Sequence, residues 1–165
     1  MSLPNTRLLN LAGLLACTGL MGYALYAQHM LFLDPCPLCS FQRIAVIVLG
    51  VVFAVATVHN PHGIGGRRVY AALVALVTLV GAGIAGWHIR LQNLPPDEVP
   101  ACGPGLSYIM QNNALGDALR MVFGGSGECA DVDWQLLGLS MPAWVLIAML
   151  GLGLFGVGNN LRRQS

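Results

Sequence analysis

Charged side chains are scarce in this sequence. Only 9% of its 165 residues are Asp, Glu, Lys or Arg, whereas an average soluble domain has about 25%. Hydrophobic residues make up 56% of the chain. The net charge is +1, and there is no dense basic cluster of the kind that binds nucleic acid. This composition argues against a soluble globular enzyme and a nucleic-acid-binding protein, and it indicates an integral membrane protein.

The sequence contains long apolar stretches. A helix needs about 20 apolar residues to cross a bilayer, and four stretches approach this length: residues 8–27, 41–58, 69–89 and 141–157. The chain has no internal repeat and no low-complexity tract. We therefore predict one all-α membrane domain over residues 1–165, a bundle of four transmembrane helices. Its two loops on the outer side would span residues 28–40 and 90–140.

The second outer loop is long enough to contain structure of its own. Apolar residues recur with partial helical periodicity over residues 106–123. This pattern predicts a short amphipathic helix, which would either lie on the membrane surface or cap the bundle.

The charges that are present indicate the orientation of the bundle. Five arginines lie at the N-terminus, between the second and third stretches and at the C-terminus: Arg7, Arg67, Arg68, Arg162 and Arg163. The acidic residues all fall in the two other loops: Asp34, Asp97, Glu98, Asp117, Glu128, Asp131 and Asp133. By the positive-inside rule, both termini should be cytoplasmic and residues 28–40 and 90–140 should lie outside.

A pair of cysteines occupies the turn between the first two apolar stretches, in Pro35-Cys36-Pro37-Leu38-Cys39. The prolines disfavour helix before the pair, so we expect Cys39 at or next to the start of a helix. Backbone N–H groups and the helix dipole favour a thiolate there. Arg43 follows four residues later, on the same helical face. A dithiol beside a fixed cation suits redox chemistry at a membrane surface.

Two further cysteines lie in the second outer loop, and one histidine lies near its start. Cys102 and Cys129 would share the outer side with Cys36 and Cys39, and four cysteines facing an oxidising compartment argue for disulfides. Cys17 is instead expected to be a small apolar residue within the first helix. His88 should lie at about the depth of Arg43. A titratable ring at that depth is either functional or an interfacial hydrogen-bonding group.

Other interpretations of these residues were weighed. A zinc site formed by the four outer cysteines is disfavoured because Cys102 and Cys129 lie far apart in sequence, so we expect no metal. Covalent haem attachment requires a histidine directly after the second cysteine, where Ser40 stands; a haem held between His29 and His88 stays open. Purely structural disulfides are the main alternative.

Several motifs along the chain resemble the DsbB family of membrane disulfide oxidases. They are Gln28-His29-Met30, Pro35-Cys36-Pro37-Leu38-Cys39 with Arg43, Trp87-His88-Ile89-Arg90-Leu91-Gln92, Cys102, Gly127-Glu128-Cys129-Ala130 and residues 134–144. Together they cover essentially the whole chain. The residue before Arg43 is acidic in some relatives and is the neutral Gln42 here.

The resemblance implies a thiol:quinone oxidoreductase in the bacterial inner membrane that supports disulfide bond formation. Cys36 and Cys39 would be the pair next to the quinone, ubiquinone or menaquinone, with Arg43 and His88 binding it. Cys102 and Cys129 would be the pair that reoxidises a DsbA-like periplasmic protein with a thioredoxin fold. The alternative is a non-catalytic tetraspan membrane protein whose loop disulfides brace an interaction surface.

The inferred orientation gives a first prediction. A thiol reagent that cannot cross the membrane should label reduced Cys102 and Cys129 in intact cells, because both should lie on the periplasmic side. Mass spectrometry of the labelled peptides provides the measurement. Labelling of both residues only after the membrane has been broken would contradict the orientation.

Overall fold

Four long helices dominate the fold. The structure, a computed structural model, describes residues 5–95, 97–99, 116, 127–132 and 134–162. Within that part of the chain, four helices are long and apolar enough to cross a membrane: α1 (Thr6–Met30), α2 (Pro37–His59), α3 (Ile64–Gln92) and α5 (Met141–Leu161). The predicted class, a bundle of four transmembrane helices, is confirmed. The predicted amphipathic helix over residues 106–123 lies outside the described residues.

Each long helix extends beyond the apolar stretch that predicted it. The helix α2 begins at Pro37 rather than near residue 41, because Pro37 suits the first helical position and Cys36 acts as N-cap. At its other end, Asn60 closes α2 with a left-handed backbone at φ 41°. Helix α3 continues to Gln92. Hydropathy locates the part of a helix within lipid, whereas capping determines where the helix ends.

A short segment connects the bundle to the start of the last helix. It contains the one-turn helix α4 (Gly127–Ala130) and a hairpin of β1 (Gln135–Leu136) and β2 (Leu139–Ser140), paired antiparallel. Leu137 and Gly138 form the turn with φ values of 53° and 78°, the positive values of a type I′ turn. The indole of Trp144 donates to the carbonyl of Leu136 at 3.1 Å, which ties the hairpin to α5.

The helices pack around one apolar core. Helix α3 lies along α5, α1 lies along α2, and α2 contacts α3. Phe53, Leu49, Val74 and Met149 are fully buried in this core. Cys17 packs there as well, as expected of a small apolar residue. Large apolar side chains also cover the outside of the bundle, which suits a surface in contact with lipid.

A buried group of asparagines joins α1 to α5 near the chain termini. The side-chain amides of Asn159 and Asn160 donate to Oδ1 of Asn10 at 3.1 and 3.2 Å. Asn159 also donates to the carbonyl of Thr6 at 3.1 Å. Amide side chains between membrane helices stabilise their association by hydrogen bonding. This network fixes α1 against α5 at the opposite end from the cysteines.

Close packing at Gly156 gives a second prediction. A Cβ atom there would lie 2.8 Å from two ring carbons of Phe53 and 2.9 Å from a methyl group of Val74, both fully buried. We expect Gly156→Ala to lower the free energy of unfolding by about 1–3 kcal/mol, as overpacking does. Thermal unfolding in detergent is the measurement.

Gly158→Ala is the matched control, because a Cβ at Gly158 has no neighbour within 4 Å. It should be neutral or slightly stabilising, since alanine favours helix over glycine. Equal melting temperatures for the two variants would contradict the packing described here.

Candidate functional site

Cys36 and Cys39 meet at the first turn of α2. Cys36 is the N-cap, with extended backbone, and its Sγ accepts a hydrogen bond from the backbone N–H of Cys39 at 3.3 Å. The two Sγ atoms are 3.1 Å apart, whereas a disulfide bond is about 2.05 Å long. This geometry is that of a dithiol, with the helix start positioned as the sequence predicted.

His88 lies beside this dithiol, almost completely buried at 2% exposure. Its Nδ1 is 3.1 Å from the amide nitrogen of Gln42, and its Nε2 is 3.1 Å from the carbonyl oxygen of Cys129. The amide nitrogen can only donate, so Nδ1 accepts and Nε2 carries the hydrogen that it donates to the carbonyl. The ring thereby connects α2, α3 and α4. Its Nε2 is also 3.8 Å from Sγ of Cys36.

Cys129 is held next to the same dithiol. Its Sγ, Sγ of Cys36 and a ring nitrogen of His88 all lie within 4.8 Å of one another. Cys129 packs with Leu38 and Leu91 and is 1% exposed. The expectation that an aqueous thiol reagent reaches Cys129 is therefore wrong for this conformation, because α4 places the side chain against the bundle. A labelling test of orientation must then depend on Cys102, which lies outside the described residues.

Arg43 lies one turn after Cys39 and is half-buried. Its guanidinium donates to Oε1 of Gln28 at 2.5 Å and to the carbonyl of Ala24 at 3.2 Å. These acceptors lie on α1, so Arg43 also joins α1 to α2.

A cavity of about 650 Å³ opens beside these side chains. Its polar wall includes Cys36, Cys39, Gln42, Arg43 and His88. Its remaining lining is largely apolar. It comes from α1, α2, the hairpin segment and α5, and it includes Leu20, Ala24, Val46, Trp134, Trp144, Val145 and Ala148. Pockets of this size, mostly apolar with a few convergent polar groups, are typical of small-molecule sites.

Five of the six predicted site residues are brought together: Cys36, Cys39, Cys129, Arg43 and His88. The sixth, Cys102, is among the residues that the structure does not describe. Sequence reasoning missed the parts played by Gln28 and Gln42. Both are amides within apolar helices, and a polar side chain at membrane depth is itself a signal that a partner lies nearby.

Comparisons with known proteins identify the family of this chain. The family described as "Disulfide bond formation protein DsbB" matches residues 6–158. Relatives named "Disulfide bond formation protein B" include one from Methylococcus capsulatus, 52% identical over 157 residues, which are 95% of either chain. Another, from Saccharophagus degradans, is 46% identical over 161 residues, 98% of this chain and 96% of its own. With this extent of similarity, the chain belongs to the DsbB family of disulfide bond formation proteins.

Proposed function

We propose that this protein oxidises a DsbA-like periplasmic dithiol protein and passes the electrons to a membrane quinone. The observation that supports the proposal is a series of closely spaced cysteine sulfurs that leads to the cavity. Sγ of Cys129 lies within 4.8 Å of Sγ of Cys36, which is 3.1 Å from Sγ of Cys39. Cys39 in turn lines the large cavity together with Arg43.

The cysteines would exchange disulfides in two steps. The partner's thiolates would reduce a Cys102–Cys129 disulfide, which forms the partner's disulfide and leaves two thiols here. The Cys129 thiolate would then attack Cys36 of a Cys36–Cys39 disulfide, forming a Cys36–Cys129 bond and releasing the Cys39 thiolate. Attack by Cys102 on Cys129 would restore the outer disulfide and leave Cys36 and Cys39 reduced. Two electrons have then moved from the partner protein to the Cys36/Cys39 pair.

The cavity fits a quinone head group. Its walls are largely apolar, as a lipid-soluble ring requires, and Cys39 and Arg43 both line it. A guanidinium has five N–H groups, and two described bonds run to α1, so the group can also donate to a quinone oxygen. When bound, a quinone would supply a two-electron, two-proton acceptor for the dithiol. Arg43 would stabilise negative charge there.

We propose a positioning role for His88. It lines the cavity, and both of its ring nitrogens have partners within the protein, Gln42 and the carbonyl of Cys129. Through the second of these contacts His88 would position Cys129 against Cys36, and quinone binding by His88 stays a prediction.

The cellular setting follows from the same proposal. The helices make this a multi-pass membrane protein, and the arginine distribution favours cytoplasmic termini in the bacterial inner membrane. The cysteine end of the bundle would then face the periplasm, where a partner with a thioredoxin fold can reach Cys102.

The alternative is a non-catalytic protein whose disulfides brace its structure. The Cys36/Cys39 pair argues against this alternative. A disulfide stabilises mainly by closing a long loop in the unfolded chain. A Cys36–Cys39 bond would close only one helical turn, and these residues already belong to the capped start of α2. Such a bond adds little as a brace.

Substitution of Arg43 tests the quinone step. We expect Arg43→Met to raise the apparent KM for a short-chain quinone by about tenfold or more, because a charge-assisted donor is lost. Arg43→Lys should have a smaller effect, since it retains the charge but loses the planar fork. Arg43→Met should also lower the melting temperature, because Gln28 and Ala24 lose their donor. Steady-state quinone reduction gives KM, and single-turnover exchange with the partner isolates the thiol steps.

Arg90→Met is the matched control. Arg90 lies at the same end of the bundle, with its guanidinium 5.1 Å from the ring centre of Trp87, but it does not line the cavity. It should leave KM for quinone unchanged. Wild-type quinone kinetics in Arg43→Met would show that Arg43 only joins α1 to α2.

The distance between Cys36 and Cys129 tests the thiol step. In a Cys39→Ser/Cys102→Ser variant, mild oxidation should form a Cys36–Cys129 disulfide within one chain, because their Sγ atoms lie within 4.8 Å. Peptide mass spectrometry identifies the bond. A variant that keeps only Cys17 and Cys129 is the control and should form no internal bond, since Cys17 packs in the separate core of the bundle. Absence of the Cys36–Cys129 bond would contradict the exchange path.

A further inference from the structure

The reduced site gathers ligands of a kind that soft metal ions prefer. Sγ of Cys36, Sγ of Cys129 and a ring nitrogen of His88 lie within 4.8 Å of one another. Sγ of Cys39 lies 3.1 Å from that of Cys36 and supplies a fourth donor. Three cysteines and one histidine form one of the standard ligand sets for tetrahedral zinc.

The distances require only small adjustments. Around tetrahedral zinc, with bonds of about 2.3 Å to sulfur and 2.0–2.1 Å to nitrogen, neighbouring ligand atoms are roughly 3.5–3.8 Å apart. Sγ of Cys36 and Nε2 of His88 are already 3.8 Å apart. The two sulfurs of the dithiol, at 3.1 Å, would separate slightly. Cys129, held within 4.8 Å of Cys36 and His88, would move closer to these two ligands by about 1 Å.

A second set of contacts would orient the histidine. A ligating imidazole usually donates its other N–H to a carbonyl or carboxylate oxygen. Gln42 is already 3.1 Å from Nδ1, and turning its amide over would present Oε1 to an Nδ1–H. The ion would then replace the carbonyl of Cys129 as the neighbour of Nε2. Gln42 can serve either tautomer of His88, because an amide side chain both donates and accepts.

A metal ion must also be able to reach the ligands, and the cysteines must be reduced. The cavity reaches Cys36, Cys39 and His88 from the outer end of the bundle. Metal ions bind thiolates, so only the reduced cysteines can serve. The expectation of no metal, drawn from the sequence, considered only four cysteines and did not include His88.

We propose that the reduced protein binds one thiophilic divalent cation, such as Zn²⁺ or Cd²⁺, through Cys36, Cys39, Cys129 and His88. Binding releases the three thiol protons and changes no oxidation state. The ion occupies the sulfurs that exchange disulfides, so it holds the protein reduced and reversibly inhibits thiol oxidation. This inference goes beyond the proposed function, and metal binding itself requires only reduced cysteines, with no quinone or partner protein.

Cadmium titration is the test. The full-length protein in detergent is reduced with a phosphine, desalted without oxygen and titrated with Cd²⁺, and the ultraviolet charge-transfer absorption of cadmium thiolates is followed. We expect one Cd²⁺ per chain in the reduced protein and no such band after oxidation to disulfides. Cys129→Ser and His88→Ala should each weaken binding by about tenfold or more. Cys17→Ala, altered only within the core of the bundle, should bind like the wild type.

X-ray absorption of the zinc-loaded wild-type protein needs no variant, so it decides the matter even if His88→Ala does not fold. Three sulfur neighbours and one nitrogen neighbour are expected. Four sulfur neighbours, or only two, would overturn the proposed ligand set. Unchanged cadmium affinity in both Cys129→Ser and His88→Ala would also overturn it, because the dithiol of α2 would then hold the ion without them.

Discussion

The hydrogen bond from His88 to the backbone carbonyl of Cys129 is the contact on which the site depends. It joins a transmembrane helix to the one-turn helix α4, at 3.1 Å and out of contact with water. A buried carbonyl that loses its donor costs about 1–3 kcal/mol, so the bond favours one position for the α4 backbone. Because that backbone belongs to Cys129, the bond also fixes the sulfur of Cys129 beside that of Cys36.

Side chains in the first two turns of α2 contact two other helices of the bundle. Gln42 reaches His88 on α3, whereas the next residue, Arg43, reaches Gln28 and Ala24 on α1. Successive helical residues point about 100° apart, so adjacent side chains can contact different helices. Cys39 lies one turn before Arg43, and its Sγ is 3.1 Å from that of Cys36, the sulfur next to His88. Cys36 contacts His88 of α3, whereas Cys129 belongs to the short helix α4.

The helices and most of the site residues could be predicted from the sequence, because both are marked by local sequence patterns. Apolar runs of membrane length identify α1, α2, α3 and α5, and the prolines around Cys36 marked the start of α2. The pairing of Gln42 with His88 could not be read in this way, because the residues lie on different helices and only packing brings them together. The hairpin was missed because Leu137 adopts a positive φ, which an apolar side chain rarely does. The burial of Cys129 likewise depends on Leu38 and Leu91 from other helices.

The proposed function requires two-electron transfer from an external dithiol to a quinone through the cysteine sulfurs. Its most direct test is the stoichiometry of a single turnover without oxygen, in which oxidised protein is mixed with a reduced thioredoxin-fold partner and excess quinone. We expect one quinone to be reduced for each partner disulfide formed, and no quinone to be reduced without Cys36 and Cys39. Partner oxidation that continues with no quinone consumed, or a protein whose disulfides never exchange with the partner, would contradict it.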